Sequence, residues 1–99
     1  MKTISVAEDF AHFPAGRYES DGPKSGAHLR KMLAFELQFY NINVLLDGTM
    51  GYGSSFLEEA FGGLAKESGF TSAQLHEKMK IEARDSSLLL EIWSYVDSG

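Results

Sequence analysis

The chain has no cysteine, only two prolines and a single tryptophan among its 99 residues. Without cysteine there are no disulfides, no thiolate metal centres and no cysteine nucleophiles. A reducing cytosol suits such a chain, so a cytoplasmic location is expected. Also missing is any apolar run of membrane-spanning length, and Met1-Lys2 leads into a strand-like segment rather than a secretory leader. No membrane partner is expected. Basic clusters are absent as well: nine Lys and Arg face 14 Asp and Glu, for a formal charge of −5. Lys24, Arg30, Lys31, Lys78, Lys80 and Arg84 are scattered among acids, which argues against nucleic acid as a direct partner.

What is present is ordinary globular composition, 43% hydrophobic and 23% charged, in a length that suits one domain over residues 1–99. Thr3-Ile4-Ser5-Val6 alternates like a half-buried strand. Ala7 to Gly26 holds both prolines and reads as a loop-rich connection with a short strand near Arg17-Tyr18. Over Ser25 to Tyr40, Leu29, Leu33 and Leu37 recur every four residues, and Phe35 and Phe39 widen the apolar face. This predicts a helix packed along most of its girth. Ile42 to Leu46 is a nearly continuous apolar strand, expected in the middle of a sheet.

A second helix is predicted from about Ser55 to Ser68, and Gly69 is its expected stop. Thr71 opens a short third helix. Lys80 to Arg84 alternates like a strand, and Asp85 or Ser86 starts a final helix with Leu88, Leu89, Ile92, Trp93 and Val96. The order predicts an α/β fold, with a mainly parallel or mixed sheet of about four strands and helices packed against it. Leu88 to Val96 carries more apolar surface than one face of a small sheet needs. Core packing is the first explanation and a dimer or partner surface the second.

Chemistry is expected where the central strand ends and the second helix begins, at Gly51-Tyr52-Gly53-Ser54-Ser55. Unpaired backbone N–H groups there favour an anion. The turn lacks the Lys of a phosphate-binding loop and the spacing of a nucleophile elbow. Ser55-Phe56-Leu57-Glu58 matches the capping box, so Ser55 is expected to start the helix, leaving Ser54 the freer hydroxyl. Arg17, Asp21, Ser25 and Arg30 form a second polar constellation. One reading makes them an anion pocket, and the favoured one makes them turn caps and ion pairs. His12, His28 and His76 lie in different elements without metal-ligand spacing, so no metal site is expected. Glu58 and Glu59 point about 100° apart and suit a helix start better than a catalytic pair. Gly62-Gly63 inside a helix costs about 1 kcal/mol per glycine, which implies close approach of a neighbouring element or of a partner.

Val44 to Leu64 resembles the core of the STAS fold, as in bacterial anti-sigma factor antagonists. In those proteins a strand ending in an Asp-Ser-Ser/Thr-Gly turn leads into a helix, and a serine of the turn is phosphorylated by a partner kinase. Gly16-Arg17, Asp21-Gly22, Ser25-Gly26, Arg30 and the run Gly53 to Leu64 resemble more closely the small STAS-like domain family of unknown function (DUF4325-type). The chain departs from the antagonist pattern in having Gly53 at the aspartate and Phe56 at the following glycine. The resemblance implies a non-catalytic signalling domain without a cofactor. It would dock a histidine-kinase-like ATPase or anti-sigma factor through Gly53, Ser54, Ser55 and Phe56, with Ser54 or Ser55 the phosphoacceptor. The alternative is a small-molecule or anion-binding domain using the serine turn with Arg17 and Arg30. Self-association as a homodimer stays open.

Overall fold

The computed structural model describes residues 1–98. Three short segments combine alternating side chains with β-branched content, and each becomes a strand: β1 (Lys2–Ser5), β2 (Ile42–Leu45) and β3 (Met79–Glu82). All pairing is parallel in the order β1-β2-β3, with Ile4 beside Val44 and Val44 beside Ile81. The central place of β2 is as expected from its apolar run. Among the described residues the sheet has three strands rather than about four, because the chain at Arg17-Tyr18 bends and enters a 3₁₀ turn (Glu19–Asp21). There the Arg17 and Tyr18 N–H groups donate to the Asp21 carboxylate instead of to a neighbouring strand.

Parallel strands that step in one direction across the sheet send right-handed crossovers over the same face. Burial follows that geometry. Ile4, Ile42, Val44, Met79 and Ile81 are buried on the helix side, whereas Thr3, Lys80 and Glu82 are exposed on the other, with Asn43 and Leu45 half-buried. The fold is thus two layers, one sheet and one set of helices.

The helical layer contains α1 (Gly26–Leu37), a continuous run made of α2 (Ser54–Leu57), a π turn (Glu58–Gly62) and α3 (Gly63–Lys66), then α4 (Ser72–Lys78) and α5 (Ser86–Asp97). A further π turn, Val6–Phe10, follows β1. α1 starts at Ser25, whose buried hydroxyl accepts the His28 N–H at 3.3 Å. Thr71 and Asp85 cap α4 and α5 in the same way. Leu29, Leu33 and Leu37 of α1, Phe56, Leu57, Phe61 and Leu64 of the central run, and Ile92 and Val96 of α5 join the strand residues in one core.

Two expectations about packing are revised. α1 is not covered along most of its girth, since Phe35 is exposed, and Phe39 and Tyr40 fall beyond its end and are exposed as well. Phe35 lies two residues beyond the inward Leu33, about 200° round the helix, on the side away from the sheet. The surplus apolar surface expected on the last helix is largely absorbed, since Leu88, Leu89, Trp93 and Tyr95 pack against the core and only Leu90 is left strongly exposed.

Gly62 and Gly63 serve close approach within the chain. A Cβ on Gly62 would stand 3.2 Å from the Tyr95 carbonyl oxygen of α5, and one on Gly63 would stand 2.6 Å from Arg30 Cδ. The missing side chains let α5 and the Arg30 side chain lie directly on the central run. That contact offsets the poor helix propensity of the pair.

Candidate functional site

The turn between β2 and α2 is braced from below and from one side. Gly48 and Gly51 hold φ of 101° and 121°, which a glycine adopts without strain. The Tyr52 hydroxyl donates to the Leu46 carbonyl at 2.6 Å, closing the loop back onto the end of its own strand. Burial there raises the Tyr52 phenol above its usual range. Asp47 accepts the Arg84 N–H at 3.2 Å, tying the ends of β2 and β3 together. Beneath the turn, Phe56 packs on Tyr52 and Phe10 with ring centroids 5.9 and 6.3 Å away.

On this frame Gly53, Ser54 and Ser55 are all exposed. The helix begins at Ser54 with Gly53 in the N-cap position, and no side chain caps it. Ser55 therefore does not start the helix, contrary to the capping-box reading. The reciprocal partner is also engaged elsewhere, because the Glu58 carboxylate takes the Arg17 guanidinium at 2.6 Å. That hydrogen bond holds the Glu58 carboxyl below its usual range. Phe56 is fully buried, so it supports the turn from within and offers no surface to a partner.

The arginines form an ion-pair seam along the same helical run. Arg30 Nε lies 3.2 Å from both Glu59 and Glu67, and its Nη1 donates to the Ser68 hydroxyl at 3.0 Å. Glu59 is only 5% exposed. Its carboxyl is pushed above the ordinary range by burial first and by the neighbouring Glu67 second, against the opposing pull of Arg30. Ser25 is buried as the α1 cap, and Asp21 holds the backbone of its own loop. The second constellation is thus caps and ion pairs, the favoured reading. Arg17 and Arg30 already hold carboxylates one turn and more beyond the serine pair.

Two residues that the sequence reading passed over also stand by the turn. Met50 is exposed and its N–H donates to the His12 carbonyl at 2.9 Å, which brings the neighbouring exposed Phe13 loop alongside. The signal available in the sequence was an apolar residue inside each glycine- or proline-rich loop, where no core can claim it. The described residues contain a groove of about 300 Å³ lined by Lys2, Thr3, Ile4, Asp9, Met32 and Glu36, at the β1 edge and not at the serine turn. No group of three or more His, Asp or Glu among them is arranged to hold a metal ion, and no helix among them is long and apolar enough to cross a membrane.

The family model for the STAS-like domain of unknown function (DUF4325) matches residues 25–87. The chain belongs to this family. In this STAS-like domain the match runs from the α1 cap, across β2, the serine turn and β3, to the first residues of α5. Arg17 and Asp21 precede the matched span, whereas Ser25, Arg30, Ser54 and Ser55 lie inside it. Neither the curated proteins nor the solved structures gave a match.

Proposed function

We propose that this STAS-like domain is a non-catalytic signalling module that docks a protein partner at the serine turn, with charge on Ser54 or Ser55 as the control. The observation that carries the reading is the pair of exposed serines at the start of a helical run that no side chain caps. A cap serine is occupied by its own backbone; these two are not needed for that task. The exposed Met50 and Phe13 beside them supply the apolar part of a contact surface.

A phosphoryl group adds about −1.5 to −2 charges, and the helix start favours that charge. Ser54 also shares a helix face with Glu58 at i, i+4, so a phosphoryl group there would add its charge beside the Glu58–Arg17 pair. The partner supported by the family resemblance is a histidine-kinase-like ATPase acting as serine kinase or anti-sigma factor in a cytoplasmic bacterial pathway. Incubation with that ATPase and ATP, followed by peptide mass spectrometry, should find one phosphate on the peptide containing Ser54 and Ser55. Ser54→Asp/Ser55→Asp should change partner recovery at least several-fold. An unmodified peptide together with equal recovery by both forms would refute the reading. The anion-binding alternative is disfavoured because Arg17 and Arg30 are both engaged with carboxylates.

A further inference from the structure

We infer that Glu59 and Glu67 hold one proton between them, and that this proton latches the end of the central helical run onto α1. The latch lies at the far end of that run from the serine turn and does not rest on the function proposed there. Arg30 of α1 reaches across Gly63, where a Cβ would stand 2.6 Å from its Cδ. Its Nε–H donates to Glu59 Oε2 at 3.2 Å, and Glu67 Oε2 lies 3.2 Å from the same nitrogen. Its Nη1 donates to the Ser68 hydroxyl at 3.0 Å. One guanidinium thus grips the middle of the run and the two residues that follow it. Arginine Nε carries a single hydrogen, which cannot satisfy two carboxylate oxygens, so the second needs another donor.

The charges around the pair select that donor. Glu59 is faced by Arg30 from α1 and, at 4.0 Å, by Arg17 from the loop before α1. Arg17 is committed to Glu58 at 2.6 Å. From its own run Glu59 meets Glu67, while α5 brings Tyr95 against Gly62 of the same turn, with the Tyr95 hydroxyl donated to Glu91. Exposed Lys66 acts on Glu58, and Glu19 is paired with Lys31. Two guanidinium groups therefore stand against three carboxylates, Glu58, Glu59 and Glu67. One proton closes the sum. Glu59 is the buried member, and both its burial and the nearby Glu67 oppose its charge. It is the acid, and its O–H donates to the Glu67 carboxylate.

Loss of that proton to water leaves two carboxylates on one N–H. Glu67 is the member free to leave. Its side chain is half-exposed, and it occupies the C-cap of α3, where the helix dipole disfavours negative charge. Glu59 stays with Arg30 in both states. When Glu67 swings out, the segment beyond it loses one of its ties to α1 and keeps mainly its backbone bonds, in which the Ser68 and Phe70 N–H groups donate to the Gly63 and Leu64 carbonyls at 3.1 Å. The segment is therefore fastened at lower pH and released as pH climbs through the Glu59 value.

Carbon NMR of the glutamate carboxyls across about pH 4 to 8, with amide exchange followed over the same range, tests this. The Glu59 carboxyl carbon should titrate above the ordinary carboxylate range, and the Glu67 carbon should move in the same step. Protection of the Ser68 and Phe70 amides, corrected for the intrinsic rise of exchange with pH, should fall at least several-fold through that step. In Glu67→Gln the Glu59 step should move to lower pH. In Glu59→Gln the two amides should keep their protection throughout, because the Gln amide donates where the proton did. A Glu59 step in the ordinary range, a Glu67 carbon that does not follow it, or flat protection in the unmodified chain overturns the inference. So does a Glu59 step that Glu67→Gln leaves in place.

Discussion

Ser25 and Ser55 occupy matching places in sequence, each a small hydroxyl ahead of an apolar periodic segment, yet only Ser25 acts as a cap. Its hydroxyl is buried and accepts the His28 N–H. At the other site the turn, with Gly51 at positive φ and the Tyr52 hydroxyl bonded to Leu46, ends two residues early, at Gly53. The helix then begins at Ser54, and Arg17 draws the Glu58 carboxylate away from the reciprocal bond. Ser25→Ala should therefore cost about 1 kcal/mol or more of unfolding free energy, whereas Ser55→Ala should stay within about 0.5 kcal/mol. Urea denaturation of the two variants checks this, and equal losses would restore Ser55 as a cap. The contrast has functional weight, since a serine without a structural task is free for a regulatory one.

Among elements, close backbone approach sets the geometry of the helical layer. A Cβ on Gly26 would meet the Phe56 carbonyl oxygen at 2.5 Å. Gly26 is the first residue of α1, where alanine gains less than the roughly 1 kcal/mol it is worth in a helix interior, and here it must push α1 off α2. Gly26→Ala should lose about 1–3 kcal/mol net, the usual range for overpacking, seen as a lower denaturant midpoint at unchanged slope. A stabilised variant would show that the two helices have room to separate.

The elements themselves were largely legible in the sequence. The leucine repeat of α1, the apolar β2 and the capped starts of α4 and α5 follow from local patterning. The predicted strand at Arg17-Tyr18 fails because Asp21 takes the two N–H groups that a strand would have offered to a neighbour. Helical periodicity also marks Phe35 and Phe39 as apolar without saying that Phe35 faces away from the sheet or that Phe39 lies beyond the end of α1. The glycine pair announced a close contact, but only the tertiary arrangement identifies Tyr95 and Arg30 as what comes close. The serine turn was visible as a place, while the division of its residues into exposed serines and a buried Phe56 depended on the frame beneath it.

For the molecule as a whole, charge couples stability to pH in two opposed directions. Glu19, Glu58, Asp85 and Asp97 are lowered in the fold, first by side-chain hydrogen bonds from Lys31, Arg17, Ser87 and Ser72 respectively. A lowered carboxyl stabilises the fold above its unfolded value, and that contribution is lost as pH falls below about 4. Glu59 has the reverse sign. Its folded value is raised by burial, so its contribution is complete below the unfolded value and is lost as pH climbs through the folded one. Between about pH 5 and 7 the four lowered groups stay ionised in both states, so they do not change there. Comparing the chain with Glu59→Gln over that interval also subtracts the histidines, which both proteins share. Gln keeps the size of Glu59 and leaves Arg30 its Glu67 partner. The stability of Glu59→Gln relative to the unmodified chain should therefore improve steadily from pH 5 to 7, as read by denaturant unfolding at each pH. A difference that does not vary with pH would mean that the Glu59 carboxyl is not raised, and that Arg30 holds it ionised throughout.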